Sequence, residues 1–160
     1  MKEVIVKVAD WAAEQGDGVI VTLGLGSCVA IMLHDPERRA GAMAHILLPS
    51  RSLAHDTSNL AKFPESAVPL LVDRLKTLGA EPRRLVAKLA GGASMFSQLM
   101  TPGTIQMGER NIVAARNALR TASIPIVRES VGGERGRSIR FHVKDGRVEV
   151  RSVGANAEVI

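Results

Sequence analysis

The chain has 160 residues, 46% hydrophobic and 23% charged, with a net charge of +5 from 21 basic and 16 acidic side chains. This is the composition of one globular domain large enough to bury an apolar core. It excludes a disordered chain, and no run approaches the roughly 18 apolar residues of a membrane span. A single cysteine excludes an internal disulfide and any multi-thiolate metal site, while 2% aromatics with no tyrosine removes the stacking platforms of a single-strand nucleic-acid binder.

The first strand is expected over Val4–Val8 (VIVKV), the second over Val19–Leu23 (VIVTL) and the third over Cys28–Leu33 (CVAIML), with GLGS as a tight glycine connector. A turn at HDPERRAG leads to a fourth strand, Ala42–Leu48, ended by Pro49. Residues 19–48 thus read as a three-stranded meander. A polar loop follows, then a helix over Pro64–Leu78. Pro64 suits its first turn, Ala67, Leu70, Leu71, Leu75 and Leu78 recur at helical spacing, and Gly79 suits the position after its end.

Leu85–Ala90 is expected as a fifth strand, 97–108 as an irregular loop, and Arg110–Ala122 as a second helix. Ile126–Glu129 reads as a sixth strand. Ser138–Val143 and Arg147–Val153 read as a hairpin around the Asp-Gly of KDGR, and the last residues are expected to fray. The order lacks regular βαβ alternation. The fold class is therefore α+β: one domain over 1–160, with a core of about 4–153, built as a layered sandwich. The early acidic residue in MKEVIVKVAD argues against a signal or transit peptide, and the expected location is the cytoplasm.

Chemistry concentrates at Cys28, behind the glycine turn of TLGLGSC. A lone intracellular thiol is most often inert packing. It becomes a nucleophile when backbone N–H groups or an imidazolium bring its pKa down from about 8.5. Gly24, Gly26 and Ser27 offer such N–H groups, which also suit an oxyanion. Of the histidines, His45 is best placed, on a strand expected to pair back on that of Cys28, among small and apolar neighbours. The competing reading is a core histidine satisfied by a carbonyl. His34 sits beside a turn and reads as surface, His55 lies in a polar loop, and His142 has no local partner signal. Thr22 is the candidate to orient the base, although a strand threonine needs no such role. Gly91-Gly92 and Gly132-Gly133 suggest close backbone approach or plain loop flexibility.

Five stretches, VTLGLGSCVAIMLHD, GAMAHILLP, KLAGGASMF, GERN and GGERGRS, resemble in order and spacing the motif series of the CheD family, the chemoreceptor glutamine deamidases of bacterial and archaeal chemotaxis. The resemblance spans about Val4 to Val153. It implies a two-sheet β-sandwich with helices packed outside, similar to deamidase toxins unrelated to papain. It implies a cysteine hydrolase that converts receptor glutamine side chains to glutamate, with Cys28 as nucleophile, His45 as base and Thr22 as its orienting group. No cofactor and no metal is implied.

The substrates implied are methyl-accepting chemotaxis receptors, and a CheC-type phosphatase is an implied partner. Nucleic-acid binding and membrane insertion are not expected. Arg135, Arg137 and Arg140 are candidates for a receptor contact, against plain surface charge. Two departures stand out. KFPESAV replaces a pattern containing a tyrosine and an aspartate, leaving Phe63 and Glu65, and the 97–108 loop is long. The rival reading is a non-enzymatic adaptor that binds receptors or the phosphatase.

Overall fold

The strand Val29–Asp35 is buried along its whole length, and its two faces enter different cores. Val29, Ile31 and Leu33 pack with the helices, whereas Cys28, Ala30 and Met32 point into a second apolar layer. A strand covered on both faces reads as a continuous apolar run, because the period of two no longer separates core from solvent.

The computed structural model describes residues 2–96, 99–101, 103 and 105–160. In chain order its elements are β1 (Glu3–Ile5), β2 (Trp11–Gln15), β3 (Val19–Leu25), β4 (Val29–Asp35), β5 (Ala40–Ile46), α1 (Pro64–Thr77), β6 (Val86–Gly91), α2 (Met107–Thr121), β7 (Ile126–Val131), β8 (Arg137–His142), β9 (Val148–Ser152) and β10 (Glu158–Val159). They form two five-stranded sheets, ordered β1-β3-β8-β9-β10 and β2-β5-β4-β6-β7. Both are mixed, since β1 pairs with β3 and β6 with β7 in parallel. One core lies between the sheets. The other lies between the second sheet and the two helices. This is the expected α+β sandwich with helices outside.

The three-stranded meander over 19–48 is not what forms. β4 and β5 make a hairpin, but β3 belongs to the other sheet and pairs with β1 and β8. The GLGS segment therefore crosses from one sheet to the other instead of closing a hairpin. A bulge between Thr22 and Leu25 precedes the crossing, with Gly24 at φ 67°. The extra residue turns Leu25 onto the inward face already used by Ile20 and Thr22.

Other expectations shift locally. β1 ends at Ile5, and β2, which the sequence reading left unassigned, forms from WAAEQ. Its alanines and glutamate carry no strand preference; full pairing with β5 imposes the conformation. α1 begins at Pro64 as expected and ends in a Schellman motif. The Ala80 N–H donates to Leu75, the Gly79 N–H donates to Lys76, and Gly79 has φ 89°. α2 begins at Met107, three residues early. Residues 97, 98, 102 and 104 of the expected loop lie outside the described residues. The C-terminus does not fray. β10 pairs with β9, and Ile160 is buried, exchanging both backbone hydrogen bonds with Val148.

Candidate active site

Thr22 on β3 and His45 on β5 belong to opposite sheets, and both side chains point into the layer between them. Each is essentially excluded from solvent. Thr22 Oγ1 lies 2.6 Å from the Val6 carbonyl oxygen and 2.7 Å from His45 Nδ1. A carbonyl can only accept, so the single hydroxyl proton goes to Val6. Thr22 Oγ1 must then accept from His45 Nδ1–H. This fixes the tautomer and leaves Nε2 with a free lone pair. Nε2 is buried, and no hydrogen-bond partner meets it among the described residues.

Cys28 immediately precedes β4. The register Val29↔Ile46 and Ala30↔His45 puts Cys28 across from Leu47 and on the diagonal to His45, on the same inward face. Diagonal neighbours on one face lie about 7–8 Å apart at the backbone, within reach of an imidazole. The chain around the thiol is clamped from outside. Ala93 N–H donates to the Gly26 carbonyl at 2.9 Å, Asn111 Nδ2 to Ser27 at 2.9 Å, and Gly92 N–H to Cys28 at 2.8 Å. Gly91, at φ 107°, passes so close that a Cβ there would overlap the Cys28 carbonyl oxygen. The glycine pair at 91–92 thus serves close approach, whereas a Cβ on Gly132 would meet open space.

Burial opposes charge on both partners. It pushes the Cys28 thiol up, with its own backbone N–H the only opposing influence, and pushes the His45 imidazole below its ordinary value. Both shifts favour the uncharged forms, a thiol and a neutral imidazole. That differs from the lowered thiol pKa which the glycine-rich turn suggested, because Cys28 is only 9% exposed and desolvation outweighs one N–H.

The CheD family model, described as CheD chemotactic sensory transduction, matches residues 47–152, about two thirds of the chain. A relative from Thermotoga maritima, named chemoreceptor glutamine deamidase CheD, is 41% identical over 159 residues, covering 99% of this chain and 97% of the relative. The chain belongs to the CheD family. Probable chemoreceptor glutamine deamidases CheD from Moorella thermoacetica and Caldanaerobacter subterraneus are 43% and 40% identical, each covering at least 96% of both chains. A solved Neisseria meningitidis protein of family DUF152 shares the fold at TM-score 0.52 and 13% identity, covering 91% of this chain and 71% of that one.

All five CheD-like stretches meet at the Cys28 loop. LGSC carries Cys28, and AHILLP carries His45. KLAGGASMF supplies the clamping N–H groups of Gly92 and Ala93, while GERN supplies Asn111. Gly136 of GGERGRS sits where a Cβ would meet the Leu25 carbonyl oxygen at 3.4 Å. The other histidines stand apart. His34 is buried, not on the surface, because its Nε2 donates to the Val143 carbonyl at 2.7 Å between the sheets. His142 finds Glu149 at 2.7 Å, and His55 is exposed.

Phe63 is fully buried, and Glu65 pairs with Arg51, so both departures take structural roles here. Of the three arginines proposed for contact, Arg140 is held by Glu3 in a two-pronged pair, because the β3–β8 pairing brings it beside β1. Arg135 and Arg137 line a groove of about 400 Å³ beside Gly24 and Met95. Sequence reasoning missed Asn111. A buried asparagine on a helix gives no periodic signal, and only its place in GERN singled it out.

Proposed function

We propose that this chain hydrolyses glutamine side-chain amides of methyl-accepting chemotaxis receptors to glutamate, with Cys28 as nucleophile, His45 as base and acid, and Thr22 as the group that orients His45. The observation that carries the reading is the Thr22–His45 hydrogen bond, which leaves a bare Nε2 lone pair in the dry layer whose inward face also carries the chain's one thiol, at the diagonal strand position. The names of the relatives, chemoreceptor glutamine deamidase, supply the substrate class.

The steps balance without a redox partner. His45 Nε2 takes the Cys28 proton as the sulfur attacks the glutamine Cδ, and the carbonyl electrons move to oxygen. The Cys28 N–H, with backbone N–H groups of the Gly26–Ser27 turn, is the proposed oxyanion support. The imidazolium returns its proton to the amide nitrogen, ammonia leaves, and a thioester remains. Water then loses a proton to Nε2 and attacks the thioester. The C–S bond breaks, the imidazolium returns its proton to sulfur, and the product acid gives its own proton to the solvent or the released ammonia, leaving the carboxylate. No metal or cofactor is needed for any step.

The proposed location is the cytoplasm; among the described residues no helix is long and apolar enough to cross a membrane. Arg135 and Arg137 are proposed to contact the receptor, and a CheC-type phosphatase is the proposed regulatory partner. The test is mass spectrometry of a receptor cytoplasmic fragment incubated with wild type, Cys28→Ala or His45→Ala. Site-specific Gln-to-Glu conversion by the wild type alone supports the deamidase. Folded wild type that converts nothing on cognate receptors sinks it and returns the adaptor reading.

A further inference from the structure

Asn111 is the buried polar residue for which the fold offers no evident need. It lies on α2, entirely shielded from solvent. Its Nδ2 donates to the Ser27 carbonyl at 2.9 Å and to the Leu47 carbonyl at 3.3 Å. Two carbonyl oxygens fix which end of the amide is nitrogen, because an oxygen in that place would face two acceptors. Its Oδ1 is buried, and no partner meets it among the described residues. An orphaned buried oxygen is costly, so the side chain is a poor choice for packing alone.

The two carbonyls it grips belong to the two catalytic segments. Leu47 lies across from Cys28 and two residues beyond His45. Ser27 C=O and Cys28 N–H are the two ends of one planar trans peptide unit, so holding the oxygen fixes where the N–H points. That N–H holds the Cys28 thiol down against the upward push of burial. A hydrogen bond accepted by the carbonyl also polarises the unit and strengthens its N–H as a donor. The carbonyls of Gly26 and Cys28 on either side are held by backbone N–H groups. Of the three clamps, Asn111 is the one supplied by a side chain.

We propose that Asn111 is a positioning residue that locks the Ser27–Cys28 peptide, aiming the Cys28 N–H at the reacting sulfur and the developing oxyanion and tying that loop to the segment after His45. Asn111 acts through the peptide and does not touch the substrate. This rests on the deamidase reading for its consequence in turnover, but its effect on the thiol is independent of any substrate.

The test uses the full chain with Asn111→Leu, similar in size with no donor, and Asn111→Asp, similar in shape with no Nδ2. Folding is checked by circular dichroism and melting. Should the first two not fold, Asn111→Ser, which leaves room for water, is measured in the same way. Iodoacetamide alkylation of Cys28 is followed against pH, and deamidation of a receptor fragment is followed at steady state. The thiol titration is expected to move to higher pH, and kcat to fall about tenfold or more with KM held. Folded variants with wild-type alkylation profiles and wild-type kcat would reduce Asn111 to packing and overturn the proposal. A shifted thiol titration in a protein that converts no glutamine would leave the positioning role standing and refute the substrate instead.

Discussion

Thr22 Oγ1 and His45 Nδ1 lie 2.7 Å apart, and their hydrogen bond joins the two sheets of the sandwich. The same hydroxyl donates to Val6, so it serves the strand β1 segment and the imidazole at once. Thr22→Val keeps the shape and removes both bonds. We expect kcat to fall about 10- to 100-fold, because the ring loses its fixed tautomer. Stability should drop by about 1–3 kcal/mol, since Val6 C=O is left unpaired in the core. Thr22→Ser should restore most of kcat. Steady-state deamidation and urea unfolding read the two effects separately, and full activity in Thr22→Val would remove Thr22 from the mechanism.

The opposite shifts of Cys28 and His45 set the expected pH profile. Burial holds the His45 imidazole below its usual value and the Cys28 thiol above its own. The kcat/KM curve should therefore rise through an acidic limb lying below about 6.5, as His45 loses its proton. A plateau follows across neutral pH. A reactive thiolate–imidazolium pair would instead show rapid Cys28 alkylation well below neutrality, so an iodoacetamide rate already maximal at mildly acidic pH would contradict the neutral pair.

Much of this was legible in the sequence, for identifiable reasons. α1 was read from Pro64 to Leu78 because a first-turn proline, helical spacing and a terminating glycine at 79 all agree. The Thr22–His45 contact was legible because polar residues stood out on apolar strands, whereas roles for Thr22, Cys28 and His45 in a reaction came only from the CheD resemblance. The meander failed because strand periodicity says nothing about which sheet a strand joins, and GLGS turns the chain across the sandwich as readily as around a hairpin. His34 looked exposed beside its turn. Only the tertiary arrangement, with Val143 brought from 109 residues away, shows it buried. Asn111 was hidden for the same reason: both of its partners are remote in sequence.

His34 gives a stability effect of definite sign. Its pKa is lowered, chiefly by burial, with Lys88 adding to the effect and the Val143 carbonyl, Asp35 and Asp145 opposing it. A depressed folded value means that the unfolded chain binds the extra proton more readily. The stabilisation is complete above the unfolded value of about 6.5 and is lost as pH falls toward and through the folded value. His45 acts in the same direction. The melting temperature should be lower at about pH 5 than at about pH 7.5, and His34→Gln, which can still donate to Val143, should flatten that slope. An unchanged slope in His34→Gln would assign the acid sensitivity elsewhere.

Gly91 tests the close approach behind Cys28, the proposed nucleophile. Its φ of 107° disfavours any side chain, and an added Cβ collides with the Cys28 carbonyl oxygen, a backbone atom that cannot swing aside. Gly91→Ala should cost about 2–4 kcal/mol in denaturant unfolding and lower kcat by displacing Cys28. Gly16→Ala is the control. Its φ is 73° but its surroundings are open, so it should show strain of about 1 kcal/mol and no loss of activity. Equal costs at the two positions would mean that the β6 crossing does not constrain the thiol.

The arginines divide by whether a carboxylate grips them directly: Arg135 and Arg137 donate to the Val153 and Gly91 carbonyls, at 3.3 and 3.4 Å. Arg140 forms two hydrogen bonds to Glu3, at 3.0 and 3.1 Å, and its charge is locally answered. Arg135 lies beside Arg137 and Arg151 in the groove that also reaches Gly24 and Met95. Met95 Sδ stands 3.2 Å from where a Cβ on Gly26 would project, so the groove adjoins the Cys28 loop. A receptor segment carrying carboxylates beside its target glutamine would lie along this groove. Arg135→Glu should then raise KM about tenfold, equivalent to ~1.4 kcal/mol, with kcat unchanged and the salt dependence of KM weakened. Arg140→Ala should leave KM near wild type. If Arg140→Ala raised KM while Arg135→Glu left it unchanged, the receptor would approach along the β1 side of the sheet, and the groove would have no part in binding.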